Sequence, residues 1–384
     1  MRFEFATAAR IIFGPGAIKD AAPLAHDWGD KALVVTGSSG ERATPLLDAL
    51  KSHGISVTAY PVSGEPTTDT VLTGTALARE MGCNVVLGLG GGSVLDTGKA
   101  ISALLTNRGD LFDYLEIIGQ GKPLTRPAAP YMAIPTTAGS GAEVTRNAVL
   151  TSTRHRVKVS LRSQLMIPRL ALVDPELTYS LPPSLTAATG LDALTQVLEP
   201  YVCNMPNPMT DALCREGMSR VSRSLRRAYQ DGHDAQARED LAVAGLFGGL
   251  ALANAKLGAV HGLAGSLGGM LSAPHGAICA RLLPLVMAAN RQALQQRDPD
   301  SPVLPRYDEV ARYLTGHPQA RAEDGTAWVA SLVDDLAIPP LSRFGLTESI
   351  IPIVVAQARQ AGSMKGNPIP LTESELTDIL RKAL

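Results

Sequence analysis

Aromatic residues are scarce in this chain: Phe, Trp and Tyr together make up 4% of 384 residues. That excludes a stacking surface as its organising feature, and the core must be built from Ala, Leu, Val and Gly in close helix and sheet packing. An excess of one charge is also lacking, since 35 Lys and Arg stand against 36 Asp and Glu for a net charge of −1. With no clustered basic face along the sequence, neither nucleic acid nor an anionic membrane is an expected partner. No apolar run approaches the roughly 20 residues of a bilayer span. The most apolar stretch, 241–253, is short, full of Ala and Gly, and reads as a buried helix. The four cysteines, Cys83, Cys203, Cys214 and Cys279, are far apart and form no CxxC pair. A disulfide framework is thereby excluded, and a reducing cytoplasm is the expected location. The opening residues, Met1-Arg2-Phe3-Glu4-Phe5, carry no signal-peptide pattern.

What the chain does have is glycine in one telling place. In Val85 to Ala100, three apolar residues, Val85 to Leu87, read as a buried strand, Gly88 to Gly92 as a tight turn, and Ser93 onward as a helix with Ser93 as its N-cap. A strand that passes through glycines into a helix N-terminus suits a pyrophosphate, because free N–H groups and partial positive charge gather there. Asp96 and Lys99 lie one turn further on. Asp96 is placed to reach the ribose or nicotinamide end of a dinucleotide, and the bland alternative is an exposed ion pair with Lys99.

The first half of the chain alternates strand and helix. Strands are predicted at Lys31–Thr36, Ser56–Tyr60, Tyr131–Pro135, Lys158–Leu161 and Leu170–Val173, with two more short ones in Phe3–Phe13. Helices are predicted at Ala17–Ala25, Arg42–His53 and Asp69–Met81. Such alternation gives an α/β fold with a parallel, Rossmann-like sheet whose ligands sit beyond the strand carboxyl ends. A second hydroxyl and glycine cluster, Thr136-Thr137-Ala138-Gly139-Ser140-Gly141, follows the strand at Tyr131–Pro135, and Thr145 lies just beyond. After Pro182-Pro183 strand signals vanish and apolar residues recur at helical spacing, as in Leu213, Gly217, Val221, Leu225 and Ala228. The expected division is a dinucleotide-binding α/β domain over 1–182 and an all-α domain over 183–384.

In the helical half, Asp192 and Gln196 are four apart and share a helix face. His261 and His275 stand in otherwise apolar, glycine-rich sequence. One carboxylate and two imidazoles converging from separate helices suit a divalent metal, with Gln196 as a weaker oxygen ligand. On residues alone, satisfied core histidines explain the same pattern.

Taken together, Gly90-Gly91-Gly92-Ser93 with Asp96 and Lys99, Pro135-Thr136-Thr137-Ala138-Gly139-Ser140-Gly141 with Glu143-Val144-Thr145, Gly190-Leu191-Asp192-Ala193-Leu194-Thr195, and Pro274-His275-Gly276 resemble the iron-containing, group III alcohol dehydrogenases. These are relatives of dehydroquinate synthase and glycerol dehydrogenase. The resemblance covers essentially the whole chain. It implies hydride transfer between NAD(P)H and a small aldehyde or ketone, and a metal, Fe or Zn, polarising the substrate oxygen. It also implies a homodimer that acts on a small-molecule substrate. The implied metal and catalytic residues are Asp192, His261 and His275, with Gln196 where the family has its remaining histidine ligand. Gly265 stands where a further histidine commonly relays the proton. The implied cofactor-binding set is Gly37, Ser38, Ser39, Gly90, Gly91, Gly92, Ser93, Asp96, Thr136, Thr137, Ser140, Thr145 and Lys158. At Gly37 the family's acidic residue, which repels a 2′-phosphate, is missing, and Ser38, Ser39 and Arg42 follow, which leans the cofactor toward NADP. Alternatives are a metal-independent reductase of a carboxylated enone or keto acid, similar to maleylacetate reductase, with Lys158 or Arg162 holding the carboxylate; a lyase of the dehydroquinate synthase kind; and a nucleotide binder without turnover.

Overall fold

The computed structural model describes residues 2–155 and 157–384. Six strands, β1 (Arg10–Phe13), β2 (Lys31–Gly37), β3 (Ser56–Val62), β4 (Val85–Gly90), β5 (Tyr131–Pro135) and β8 (Leu170–Val173), form one sheet in the order β1-β8-β5-β4-β2-β3. Every pairing in it is parallel. The remaining two, β6 (Asn147–Ser152) and β7 (Val157–Arg162), make an antiparallel pair of their own. Parallel strands need crossovers, and the helices at Ala21–His26, Thr44–Ser52, Thr68–Glu80 and Gly92–Thr106 supply them.

The period-2 alternation of β2 shows how the layers are built. Leu33 and Val35 pack with Val71, Leu95 and Ile101 on one face of the sheet, while Ala32 and Val34 pack with Ala22, Leu46 and Leu50 on the other. From β2 the chain steps outward to β3 and then returns to β4 on the far side of β2. The switch point therefore lies between β2 and β4, where Thr36 pairs with Leu89 and the two following turns start side by side.

Two compact units divide the chain: residues 6–137 with 141–178, and residues 2–5 with 138–140 and 179–384. The second unit is helical. Its central helix, Pro183–Val202, starts with proline in the first turn, where a missing N–H does no harm, and buries nearly every residue. Packed in the same apolar core are residues of Pro208–Gln230, Ala235–Asn254, Ala259–Leu267 and His275–Arg297. Among the described residues no single helix is long and apolar enough to cross a membrane. The apolar stretch 241–253 is the buried second half of Ala235–Asn254.

Several local expectations need correcting. The segment Phe3–Phe13 yields one strand, Arg10–Phe13, not two. Strand β4 runs on to Gly90 because Gly88 pairs with both Val35 and Ala133, so the turn shrinks to Gly91. Gly91, not Ser93, is then the N-cap, and Ser93 sits inside the first turn of Gly92–Thr106. The strand at Lys158–Leu161 belongs to the antiparallel pair and not to the main sheet.

Candidate active site

Helix Gly92–Thr106 begins with Gly91 extended at φ −75° and ψ −175°, and no side chain caps its N–H groups. A Cβ on Gly91 would meet only Thr137, in ordinary contact at 3.4 Å, so no neighbouring group fills the place of its side chain. By contrast Gly88 and Gly98 serve packing. A Cβ on either would stand 2.4 or 2.8 Å from Tyr131, whose hydroxyl donates to Leu95 O at 2.8 Å. Gly90, Gly91 and Gly92 thus lie at the strand-to-helix junction, with Thr136 beside them through its N–H to Gly90 O at 3.0 Å. Thr136 and Thr137 are half-buried, Gly37 ends β2, and Ser38 and Ser39 are exposed beyond it. Ser140 groups with the helical unit.

Three other residues of the expected cofactor set, Asp96, Thr145 and Lys158, have polar partners within the protein. Lys99 is fully buried and donates to Thr145 Oγ1 at 3.0 Å and to Asn147 O at 2.8 Å. Asp96 Oδ2 accepts from Val149 N at 3.0 Å, and Oδ1 lies 3.5 Å from Lys99 Nζ. Asp96 and Lys99 are therefore a largely buried clamp between Gly92–Thr106 and β6, not an exposed ion pair. Lys158 pairs with Glu65 at 3.1 Å, and Arg162 with Glu116 at 3.1 Å, so the two cations of the keto-acid alternative are already partnered.

The helical unit holds the second cluster. On Pro183–Val202, Asp192, Gln196 and Glu199 are spaced by four and then three, which puts them on one face, and all three are buried. His261 comes from Ala259–Leu267 and His275 from the first residue of His275–Arg297. Asp192 Oδ1 lies 3.5 Å from His261 Nε2 and 4.0 Å from His275 Nε2. The other ring nitrogen of His261 donates to Glu199 Oε2 at 2.6 Å, and Glu199 Oε1 accepts from Val260 N at 2.7 Å. Glu199 thereby fixes the ring of His261 and places a carboxylate at a helix N-terminus, where its charge is favoured. Sequence reading missed Glu199, although its position seven residues after Asp192 is the signal. It also missed Cys279, whose Sγ lies 3.5 Å from His275 Nε2 and within 4.8 Å of the Asp192 and His261 ligand atoms. Its signal is the spacing of four from His275.

The electrostatics of this cluster favour a cation. Burial by itself would raise the Asp192 carboxyl, but contact with His261 and His275 outweighs it and holds the group below its ordinary range. Burial alone would also lower His261, and the carboxylates of Glu199 and Asp192 reverse this and push it up to about 10. A field that favours a proton so strongly at His261 favours any cation there. The decisive observation is that Asp192 Oδ1 is buried and accepts no hydrogen bond. Its charge is balanced only by the two imidazoles, whose Nε2 atoms converge on it at 3.5 and 4.0 Å without a well-formed hydrogen bond. The residues present fit a divalent metal. Gly265, in contrast, is exposed and a Cβ there would meet nothing within 4 Å, so this position supplies no side chain to relay a proton.

Comparison with known proteins agrees with this geometry. Residues 8–175 match the family described as iron-containing alcohol dehydrogenase, and residues 186–384 match the C-terminal domain family of Fe-containing alcohol dehydrogenases. The chain is 35% identical over 390 residues to 1,3-propanediol dehydrogenase of Klebsiella pneumoniae, covering 99% of this chain and 98% of that one. It is 35% identical to alcohol dehydrogenase 4 of Schizosaccharomyces pombe, covering 97% and 87% respectively. Among solved structures, 1,3-propanediol oxidoreductase superposes with a TM-score of 0.93 at 34% identity, with 100% of both chains covered.

Proposed function

Because this chain belongs to the iron-containing alcohol dehydrogenase family and is an oxidoreductase of that kind, we propose that it interconverts a small alcohol and its aldehyde or ketone, with a divalent metal on Asp192, His261 and His275. The observation that carries the metal-assisted reading is the hydrogen-bond-free, buried Oδ1 of Asp192 facing two imidazole nitrogens. Bound to the protein, the nicotinamide supplies or accepts the hydride and the metal supplies Lewis-acid charge at the substrate oxygen. The chain's own residues prepare for both. The uncapped N–H groups after Gly91 bind pyrophosphate, and the hydroxyls of Thr136 and Thr137 lie at the neighbouring strand end to orient the nucleotide. Glu199 holds the Nδ1 proton of His261, which directs Nε2 toward Asp192. With Gly265 in place of a relay, water carries the alcohol proton.

The reading extends to the finer points. Strand β2 ends at Gly37 followed by exposed Ser38 and Ser39, and hydroxyls without a carboxylate support NADP as the preferred cofactor. Phe3, 44% exposed in a segment outside any strand, supports a homodimer in which this segment finds a partner. Four free cysteines support a cytoplasmic setting. The name of the 1,3-propanediol dehydrogenase relative makes 1,3-propanediol the first compound to assay. Purified protein should reduce short aldehydes with NADPH, lose that turnover on chelation, and regain it with Zn²⁺ or Fe²⁺. Absence of cofactor-linked turnover across a broad panel of alcohols, aldehydes and ketones would overturn the assignment, and turnover untouched by chelators would move it to the metal-independent alternative.

A further inference from the structure

We propose that Cys279 is itself a metal ligand, its thiolate completing an Asp192–His261–His275–Cys279 centre for a borderline divalent ion such as zinc. The proposal rests on the metal-assisted reading above and goes beyond it, since nothing in that reading calls for sulfur. Three observations carry it. First, Cys279 lies one turn after His275 on the same helix, so both side chains rise from one face. Second, the four ligand atoms are already gathered. A tetrahedral ion with bonds of about 2.0–2.3 Å separates its ligand atoms by about 3.4–3.6 Å. Two edges match this, 3.5 Å from Asp192 Oδ1 to His261 Nε2 and 3.5 Å from Cys279 Sγ to His275 Nε2, the edge from Oδ1 to His275 Nε2 is longer at 4.0 Å, and all four atoms lie within 4.8 Å of one another. Third, Asp192 Oδ1, buried and without a hydrogen bond, belongs to this same group of four.

Gln196 is turned away from the fourth place in this arrangement. Asp192 Oδ2 can only accept, so the amide end that meets it at 3.1 Å must be Nε2, which has no lone pair to offer. Gln196 Oε1, buried and also without a hydrogen bond, lies toward Gly248, where a Cβ would come within 3.1 Å of it. Gln196 is thus a positioning residue that occupies Oδ2 and leaves Oδ1 to the cluster. Thiolate together with imidazole and carboxylate is a donor set suited to zinc. On binding, one metal–sulfur bond forms, the Sγ proton leaves to solvent, and no oxidation state changes.

The test loads metal-free protein with Co²⁺ and reads its absorption spectrum. Wild type should bind one equivalent and show a sulfur-to-cobalt charge-transfer band in the near ultraviolet beside the visible d–d bands. Cys279→Ser should lose the charge-transfer band while keeping d–d absorption, and Gln196→Ala should keep both. Cys279→Ala serves as a second variant if the serine protein fails to fold. Cobalt bound without a charge-transfer band in wild type, or a band that survives loss of Cys279, overturns sulfur ligation and leaves the dehydrogenase reading intact. Wild type that takes up no cobalt overturns this proposal as well, and chelator-insensitive turnover then shows separately that the metal-assisted reading has failed.

Discussion

Glu143→Gln isolates a pH-dependent weakness that the structure builds into the first unit. Glu143 lies in the loop between β5 and β6, fully buried near Lys99 and Asp96. Burial is the main cause that pushes its carboxyl from 4.5 up to about 7, against a smaller lowering by its own backbone hydrogen bond and by Lys99. The unfolded chain releases this proton near its ordinary value and the folded chain holds it until about pH 7. Between those limits the folded state binds more protons, so stability falls as pH rises and levels off above the window. The full step is about 3 kcal/mol, of which about 2.5 falls between pH 5 and 8. The Gln variant lacks the ionising group and so lacks the step. Urea denaturation at both pH values, with hydrogen exchange read in helix Gly92–Thr106, should show wild type losing about 2.5 kcal/mol relative to the variant. If the two proteins run parallel from pH 5 to 8, Glu143 is not held protonated by its surroundings and the reasoning is refuted.

Four further outcomes follow from particular contacts. Gly37→Asp, at a position where a Cβ meets nothing within 4 Å, should shift the kcat/KM ratio from NADPH toward NADH by about 10–100-fold, the effect of about 1.5–3 kcal/mol of repulsion from a 2′-phosphate; an unchanged ratio would count against NADP preference. Glu199→Gln should weaken metal binding by about 10–100-fold in chelator competition, since it removes the carboxylate from His261 Nδ1. Gly276→Ala should lower thermal stability by at least about 1–3 kcal/mol, because its Cβ would stand 2.1 Å from Ala188 O. Gly91→Ala should leave the melting temperature nearly unchanged while raising the nucleotide Kd, since its Cβ would meet only Thr137, in ordinary contact at 3.4 Å.

Strands β5 and β8 were readable because both faces are buried, so each is a continuous apolar run, and the structure places them at the residues expected. Strand β6 was not readable. It buries only alternate residues, Ala148, Leu150 and Ser152, and spells Asn-Ala-Val-Leu-Thr-Ser, which resembles a polar loop as much as a strand. The glycines of β4 suggested a turn by composition, yet ladder bonds to β2 and β5 hold Gly88 and Gly90 extended. Asp192, His261 and His275 were legible through the surrounding motifs and are brought together as expected. Cys279 and Glu199 were hidden because helical spacing says which residues share a face, and only the packing of three helices says which faces meet. The exposed ion pair of Asp96 and Lys99 misled for the same reason, since their partners lie on or beside β6, the strand that the sequence concealed.

Glycine is the residue on which both sites turn, and it does two different things. In Gly88, Gly98 and Gly276 the missing side chain is filled by a neighbour, either the Tyr131 ring or the carbonyl of Ala188. The last of these lets His275–Arg297 approach Pro183–Val202 closely enough for the short side chain of Asp192 to reach atoms on the neighbouring helix. Any side chain at Gly276 pushes the two helices apart, and a carboxylate with only one methylene cannot follow. At Gly91 the same absence leaves room unfilled beside uncapped N–H groups, and that room suits a phosphate. Glycine therefore does two kinds of work here: at Gly276 it permits the helix contact that brings Asp192 near His275, and at Gly91 it keeps the main chain beside the uncapped N–H groups clear of a side chain, with Thr137 the nearest neighbour.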